Sequence, residues 1–168
     1  MPKYDIGAQI RQIVEQEKEQ IQMVALQTVW AVLNRNKSLY TRKLRSLVLT
    51  EYYNAFAESE YYDRTMQFMK SAYCRPVHSE GGYGLEVGFD GASVVFLPPT
   101  KRGNFASYGS FPKTKGGDFT PLTEEQKDSL LDRLQERGHI IELFAEWFNE
   151  DFETKYNAAL QQRLRALK

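Results

Sequence analysis

Ile6, Ile10, Ile13, Ile21, Val24, Thr28 and Val32 recur largely at three- and four-residue steps along the first 36 residues, with Glu15, Lys18, Glu19 and Gln22 between them. That spacing predicts one long amphipathic helix, the feature that most limits what the chain can fold into. Glu17 interrupts the stripe, so its middle is expected to face solvent. Asn34-Arg35-Asn36 is read as the stop. A second helix is expected from Leu39 to Ala57, carrying Leu44, Leu47, Val48, Tyr52 and Phe56, and a short third one from Tyr62 to Ser71. Helices with stripes this narrow pack on each other or on neighbouring subunits.

The texture then changes. Gly84-Leu-Glu-Val-Gly-Phe-Asp90 alternates apolar and polar residues, and Asp90-Gly91 is a hairpin turn signal. The expected return strand is Ala92–Leu97, stopped by Pro98-Pro99. A preceding strand is expected over Tyr73–His78, where Pro76 confines it to an edge or a bulge. Residues Pro98 to Pro121 hold four of the six prolines, together with the cations Lys101, Arg102, Lys113 and Lys115 and the aromatics Phe105, Tyr108, Phe111 and Phe119. A loop of that length inside a folded domain is usually functional or disordered, and its aromatics favour function.

Helix signals return at the end. Thr123-Glu-Glu-Gln126 has the spacing of a capping box, Leu130, Leu131 and Leu134 supply an apolar face, and Gly138 suits the position after a helix. A last helix is expected from His139 to Leu167, burying Ile140, Leu143, Phe144, Trp147, Phe148 and Phe152, then Tyr156, Leu160, Leu164 and Leu167 as a sparse stripe. The fold class is therefore α+β: a long N-terminal helix and a second helix, a small antiparallel β-sheet with a hairpin and a long loop, and two C-terminal helices. With 168 residues, and about 150 per domain as a guide, a single domain is expected. Its parts are helical over 1–72, β-hairpin over 73–97, aromatic and basic loop over 98–121, and helical over 122–168.

Composition narrows the function classes. Apolar residues make up 42% and charged residues 26%, which is ordinary globular usage and argues against global disorder. No window approaches the roughly 18 apolar residues of a membrane span, and no signal peptide is read at the start, so a soluble cytoplasmic protein is expected. The single cysteine, Cys74, excludes an intrachain disulfide framework and a cysteine-rich zinc site. With 22 basic against 22 acidic residues the net charge is zero, unlike a dedicated nucleic-acid binder. The balance is not local. Five cations and no acid lie between Gln20 and Thr50 (Arg35, Lys37, Arg42, Lys43, Arg45), whereas residues 122–168 carry 7 basic and 10 acidic side chains. A split of this kind suits contact between identical subunits.

Catalytic groupings are sparse. Cys74, His78 and Glu80 are the right types for a thiolate, its base and an orienting carboxylate, but triad members usually converge from separate elements. A half-buried cysteine and a surface histidine beside a glycine turn is the simpler reading. His139, Glu142 and Glu146 fall on one helix face, where a metal site would need a second such helix that the sequence does not supply. They read better as a solvated face. Gly81-Gly82-Tyr83-Gly84 and Gly116-Gly117 do not match a phosphate loop and read as turns. No catalytic activity, metal or cofactor is expected. The basic clusters Arg35–Arg45 and Lys101–Lys115 leave open a small nucleic-acid-associated protein that contacts phosphates and stacks bases on the loop aromatics.

One string is familiar. Tyr53, Tyr61 and Tyr62, then Arg64-Thr65-x-x-Phe68-x-x-Ser71, resembles the mid-chain motif of the tail-completion proteins of tailed bacteriophages, the minor tail or head–tail joining components. In these an N-terminal helix, an Arg-Thr or Thr-Gly step into a Leu/Phe-x-x-Ser segment, β-strands and a C-terminal helix follow in order; a glycine is frequent where this chain has Met66. The likeness covers residues 5–97 loosely. It implies a non-enzymatic virion protein, assembled in the host cytoplasm, that forms a homo-oligomeric ring, a hexamer, at the head–tail joint or the top of the tail. Partners implied are adjoining connector, stopper, tail-terminator or tail-tube proteins, with DNA only passing through the lumen and no membrane. The family-motif residues would be Tyr61, Arg64, Thr65, Phe68 and Ser71. Lys101, Arg102, Phe105, Tyr108, Phe111, Lys113 and Lys115 would form a loop toward a partner or the lumen.

Overall fold

The computed structural model describes residues 6–55, 66–93 and 123–167. Helix α1 runs without a break from Ile6 to Leu47, 42 residues or about 63 Å, and passes directly into a π-helical stretch, Val48–Tyr53. The stop expected at Asn34-Arg35-Asn36 is therefore corrected: the helix read as starting at Leu39 is the same helix. Both asparagines turn their amides back along it, Asn34 Nδ2 donating to the Trp30 carbonyl at 3.0 Å and Asn36 Nδ2 to that of Val32 at 2.8 Å. Their side chains thus satisfy themselves on helical backbone instead of competing with it. Buried Val32, Leu33, Tyr40, Leu44 and Leu47 carry the apolar stripe through the supposed stop.

In the π-helical stretch Asn54 N–H donates to Leu49 O at 2.9 Å, five residues back. The wider turn aligns residues five apart, which lets Val48 and Tyr53 both be buried.

Short helix α2, Gln67–Ser71, leads straight into strand β1, Ala72–Ser79, which pairs with β2, Gly82–Phe89, in a two-stranded antiparallel sheet. The hairpin is thus one strand earlier than its turn signal indicates. Its turn is Glu80-Gly81, followed by Gly82 at φ 126°, a value that glycine takes without a Cβ penalty. Asp90-Gly91 instead opens a single 3₁₀ turn, Gly91–Ser93. Asp90 holds that turn: its Oδ1 accepts from Ala92 N–H at 3.1 Å and its carbonyl from Ser93 N–H at 3.2 Å. Pro76 sits in β1 without disrupting it, since each strand of a two-stranded sheet has an unpaired edge. The rest of the expected return strand, beyond Ser93, and the 98–121 loop lie outside the described residues.

Helix α3, Glu124–Arg137, begins as its sequence says. Thr123 Oγ1 accepts from Gln126 N–H at 3.2 Å, and Gln126 Oε1 accepts from Thr123 N–H at 3.0 Å. Gly138 follows at φ −97°, and the left-handed residue is His139, at φ 49°, rather than the glycine. A methyl on Gly138 would meet Ile140 Cδ1 at 2.9 Å and the Glu51 carbonyl oxygen at 3.4 Å, so the glycine serves close packing here. Helix α4 spans Ile140–Arg165.

By their contacts the described residues fall into two compact units. One takes α1 up to Lys37, Arg75–Glu86 and α4 from Trp147 onward; the other takes the remainder. The second unit holds most of the buried side chains: Tyr40, Leu44, Leu47, Val48, Tyr53, Phe68, Ala72, Cys74, Leu131, Ile140 and Phe144. Phe68 is its aromatic hinge point, with its ring 4.7 Å from that of Phe89 and edge-on to Tyr52 at 5.3 Å. Among the described side chains of the first unit, Thr28, Val32 and Leu33 are the buried ones. In it Trp147, Phe148, Phe152, Tyr156, Leu160 and Leu164 are half-buried, and Leu167, expected to close that stripe, is 49% exposed.

Candidate functional site

An exposed apolar feature lies on the first stretch of α1. Every residue from Arg11 to Met23 is exposed, including Ile13 at 55%, Val14 at 54%, Ile21 at 51% and Met23 at 58%. At 100° per residue Ile13, Val14 and Ile21 lie within one arc of about 100°, the width of a packing stripe. Nothing among the described residues covers it. The expected solvent-facing middle around Glu17 is thus only part of a longer exposed run. Exposed apolar side chains that share one helix face, here on either side of Glu17, mark interaction sites.

Further along, in the same unit, Trp30 stacks obliquely on Tyr83 of β2 at 5.1 Å, and the His78 ring lies 5.0 Å from that of Tyr83. Leu26 reaches Gly82, so helix and hairpin share an aromatic patch with Trp30 still 37% exposed. Its aromatics had no sequence signal to join them, because their contact depends on where the hairpin turns.

Still in that unit, Ala31, Val32 and Arg35 of α1, Ala159, Gln162 and Arg163 of α4, and Ala166 just past its end line an open cleft of about 350 Å³. Alanines keep the two helices' side chains short there, and the two guanidinium groups stand at its edges. Neither arginine has a hydrogen-bond or ion-pair partner among the described residues.

The residues singled out from sequence are placed as follows. Phe68 and Ser71 of the family motif are buried, and Ser71 Oγ donates to Phe68 O at 2.7 Å, closing α2. Both act in packing and helix termination. Tyr61, Arg64 and Thr65 lie outside the described residues. The N-cap position of α2 is held by Met66, not by Thr65, and Met66 is left-handed at φ 57° with no side-chain cap. Glycine takes that conformation freely, whereas here a residue with a Cβ holds it. Lys101, Arg102, Phe105, Tyr108, Phe111, Lys113 and Lys115 also lie outside the described residues. The Arg35–Arg45 cations are distributed around α1: Arg35 and Arg42 share a face, Lys37 points nearly opposite, and Arg45 donates to the Lys70 carbonyl at 3.1 Å. They form no single basic patch.

Cys74 is 7% exposed and its amide donates to Thr41 Oγ1 at 3.2 Å. Burial pushes its thiol up from 9.0 to about 11, outweighing the lowering by Thr41 and by the Arg45 charge. A nucleophile needs the opposite shift. His78 and Glu80 are exposed. His139 Nδ1 lies 2.6 Å from Glu142 Oε2 on an open surface, an ordinary i, i+3 pair. Among the described residues no group of three or more His, Cys, Asp or Glu is placed to hold a metal, and no helix is long and apolar enough to cross a membrane.

Compared with protein-family models, with curated proteins and with solved structures, the chain finds no match.

Proposed function

We propose that the chain is a structural subunit that works by self-assembly, a ring-forming component of the head–tail joint or upper tail of a tailed bacteriophage. The observation that carries the assembly part is the exposed run of α1, where Ile13, Val14, Ile21 and Met23 each leave more than half their surface in solvent. A helix whose apolar stripe finds no cover within the described residues gains most by packing between copies. The order of elements, long helix, hairpin, then C-terminal helices, is the one the tail-completion resemblance implies, and it supports the phage setting. A buried, protonated Cys74 is consistent with a structural role. Partners on this reading are further copies of the chain, in a hexamer, and the adjoining ring or tube of the particle.

Native mass spectrometry and negative-stain imaging of the purified chain test this. The expected result is a closed multiple of the 19.5 kDa subunit, annular in projection. A strictly monomeric species at about 100 µM, far above the micromolar range of ordinary specific contacts, would overturn it.

A further inference from the structure

Several charges in the described structure have no ion-pair partner, and two groups of them are opposite in sign. One is the Arg35 and Arg163 pair at the edges of the α1–α4 cleft. The other runs along α3. Glu125, Asp128, Asp132 and Glu136 are all exposed, and at steps of three and four residues they fall within an arc of about 80°. No cation pairs with any of the four among the described residues; the Lys127–Glu124 ion pair involves a different carboxylate. Buried Leu131 and half-buried Leu130 and Leu134 fix the inward face of α3, and Asp128 Oδ1 is turned against Gly91 of the chain's own 3₁₀ turn, which leaves Glu125, Asp132 and Glu136 as the carboxylates directed away from the core.

We infer that the α1–α4 cleft receives the acidic stripe of α3 from a second copy of the chain. This rests on the proposed self-assembly and names the charged contact that orients it. A cleft of about 350 Å³ whose lining includes Ala31, Ala159 and Ala166 has room for the tips of two or three side chains, not for a whole helix. Guanidinium forks are the natural partners of carboxylates, and Asp132 and Glu136 stand one helical turn apart, so the two arginines can each take one, with Gln162 as a further neutral donor in the lining. Elsewhere Lys18 pairs with Glu15 on α1 and Lys155 with Asp151 on α4, while Glu146, Glu150 and Glu153 form a second exposed acidic run, on the helix that carries Arg163 itself. Because cleft and stripe are different surfaces of one chain, the contact is head-to-tail, the type that generates rings.

Charge swapping tests it. One variant carries R35E and R163E; a second carries E125K, D132K and E136K. All positions changed except half-buried Arg163 are exposed, and circular dichroism confirms folding of each. Alone, each variant sets like charges against each other and should assemble about a hundredfold more weakly than the parent in sedimentation velocity. Mixed in equal amounts, the two present reversed but complementary surfaces and should recover assembly in alternating order, with 0.5 M NaCl weakening both parent and mixture. Separate weakness followed by recovery on mixing supports the contact. An oligomeric parent whose variants assemble unchanged overturns the contact and leaves the self-assembly reading standing; a monomeric parent overturns both. Duplex DNA binding lost in the first variant, with assembly unaffected, would assign the arginines to a polyanion and equally overturn the contact.

Discussion

Substituting Ile13, Val14 and Ile21 of α1 by glutamine separates assembly from folding. Each of these side chains is already 51–55% exposed in the single chain. Fully burying such a side chain is worth about 1.5–3 kcal/mol, so the half still in water can contribute about 1 kcal/mol each when another copy covers it. Three residues in one 100° arc give about 3 kcal/mol per chain, or roughly a hundredfold in dissociation constant. The chain's own stability should hardly move. Glutamine is a better helix former than valine or isoleucine, and exposed substitutions away from special features stay within about 0.5 kcal/mol. Sedimentation velocity over a concentration series reads the first quantity and thermal melting the second. Unchanged assembly would refute the role of the stripe. A melting point lowered by more than about 5 °C would show instead that these side chains are covered within the chain itself.

Gly138→Ala drives a methyl to 2.9 Å from Ile140 Cδ1, and Ile140 is 0% exposed, so calorimetry should show a loss of about 1–3 kcal/mol. Adding Ile140→Val removes that Cδ1 and should make the pair cost less than the sum of its singles. Thr123→Ala removes the capping-box acceptor at an exposed site and should cost about 1 kcal/mol by denaturant titration. Since Cys74 keeps its proton to about pH 11 when folded but ionises near 9 when unfolded, its contribution to stability is whole below about pH 9 and is lost as pH rises to 11. Cys74→Ala should remove that part of the alkaline fall, and iodoacetamide should modify native Cys74 about a hundredfold more slowly than a free thiol at pH 8.

Features encoded within four or five residues were legible in the sequence. Thr123 and Gln126 carry their capping box whatever surrounds them, and the period of β2 is plain from Gly84 to Asp90. What failed depends on distant residues. Asn34 and Asn36 look like a stop, but burial of Val32, Leu33, Tyr40 and Leu44 keeps the helix going, and no local signal reports that burial. Asp90-Gly91 is a true turn, yet period-2 alternation does not say whether a strand pairs with the one before it or the one after, and the structure pairs β2 with β1. Phe68 and Ser71, picked out by the resemblance, are buried, one in the aromatic core and the other closing α2. Arg35 and Arg163 could not be joined, since their nearness follows from α1 lying along α4 within one unit.

Continuity of α1 also changes what the zero net charge means. With a stop at Asn36, the five cations from Arg35 to Arg45 would have formed a basic corner suited to a polyanion. On one unbroken helix they point in several directions: Arg45 is engaged with the Lys70 carbonyl, while Arg35 is turned to the cleft with Arg163. A chain that holds a polyanion gains by shedding acids from its surface, because every carboxylate near the phosphates weakens the hold. This one keeps Glu125, Asp132 and Glu136 on a single exposed face of α3 with no ion pair to any of them among the described residues. Lining up like charges at three- and four-residue steps costs helix stability. That cost is offset when the missing cations arrive from outside, and the proposed assembly brings them on the α1–α4 cleft of the next copy. Neutrality then describes a pair of mutually satisfying surfaces rather than an absence of electrostatic purpose.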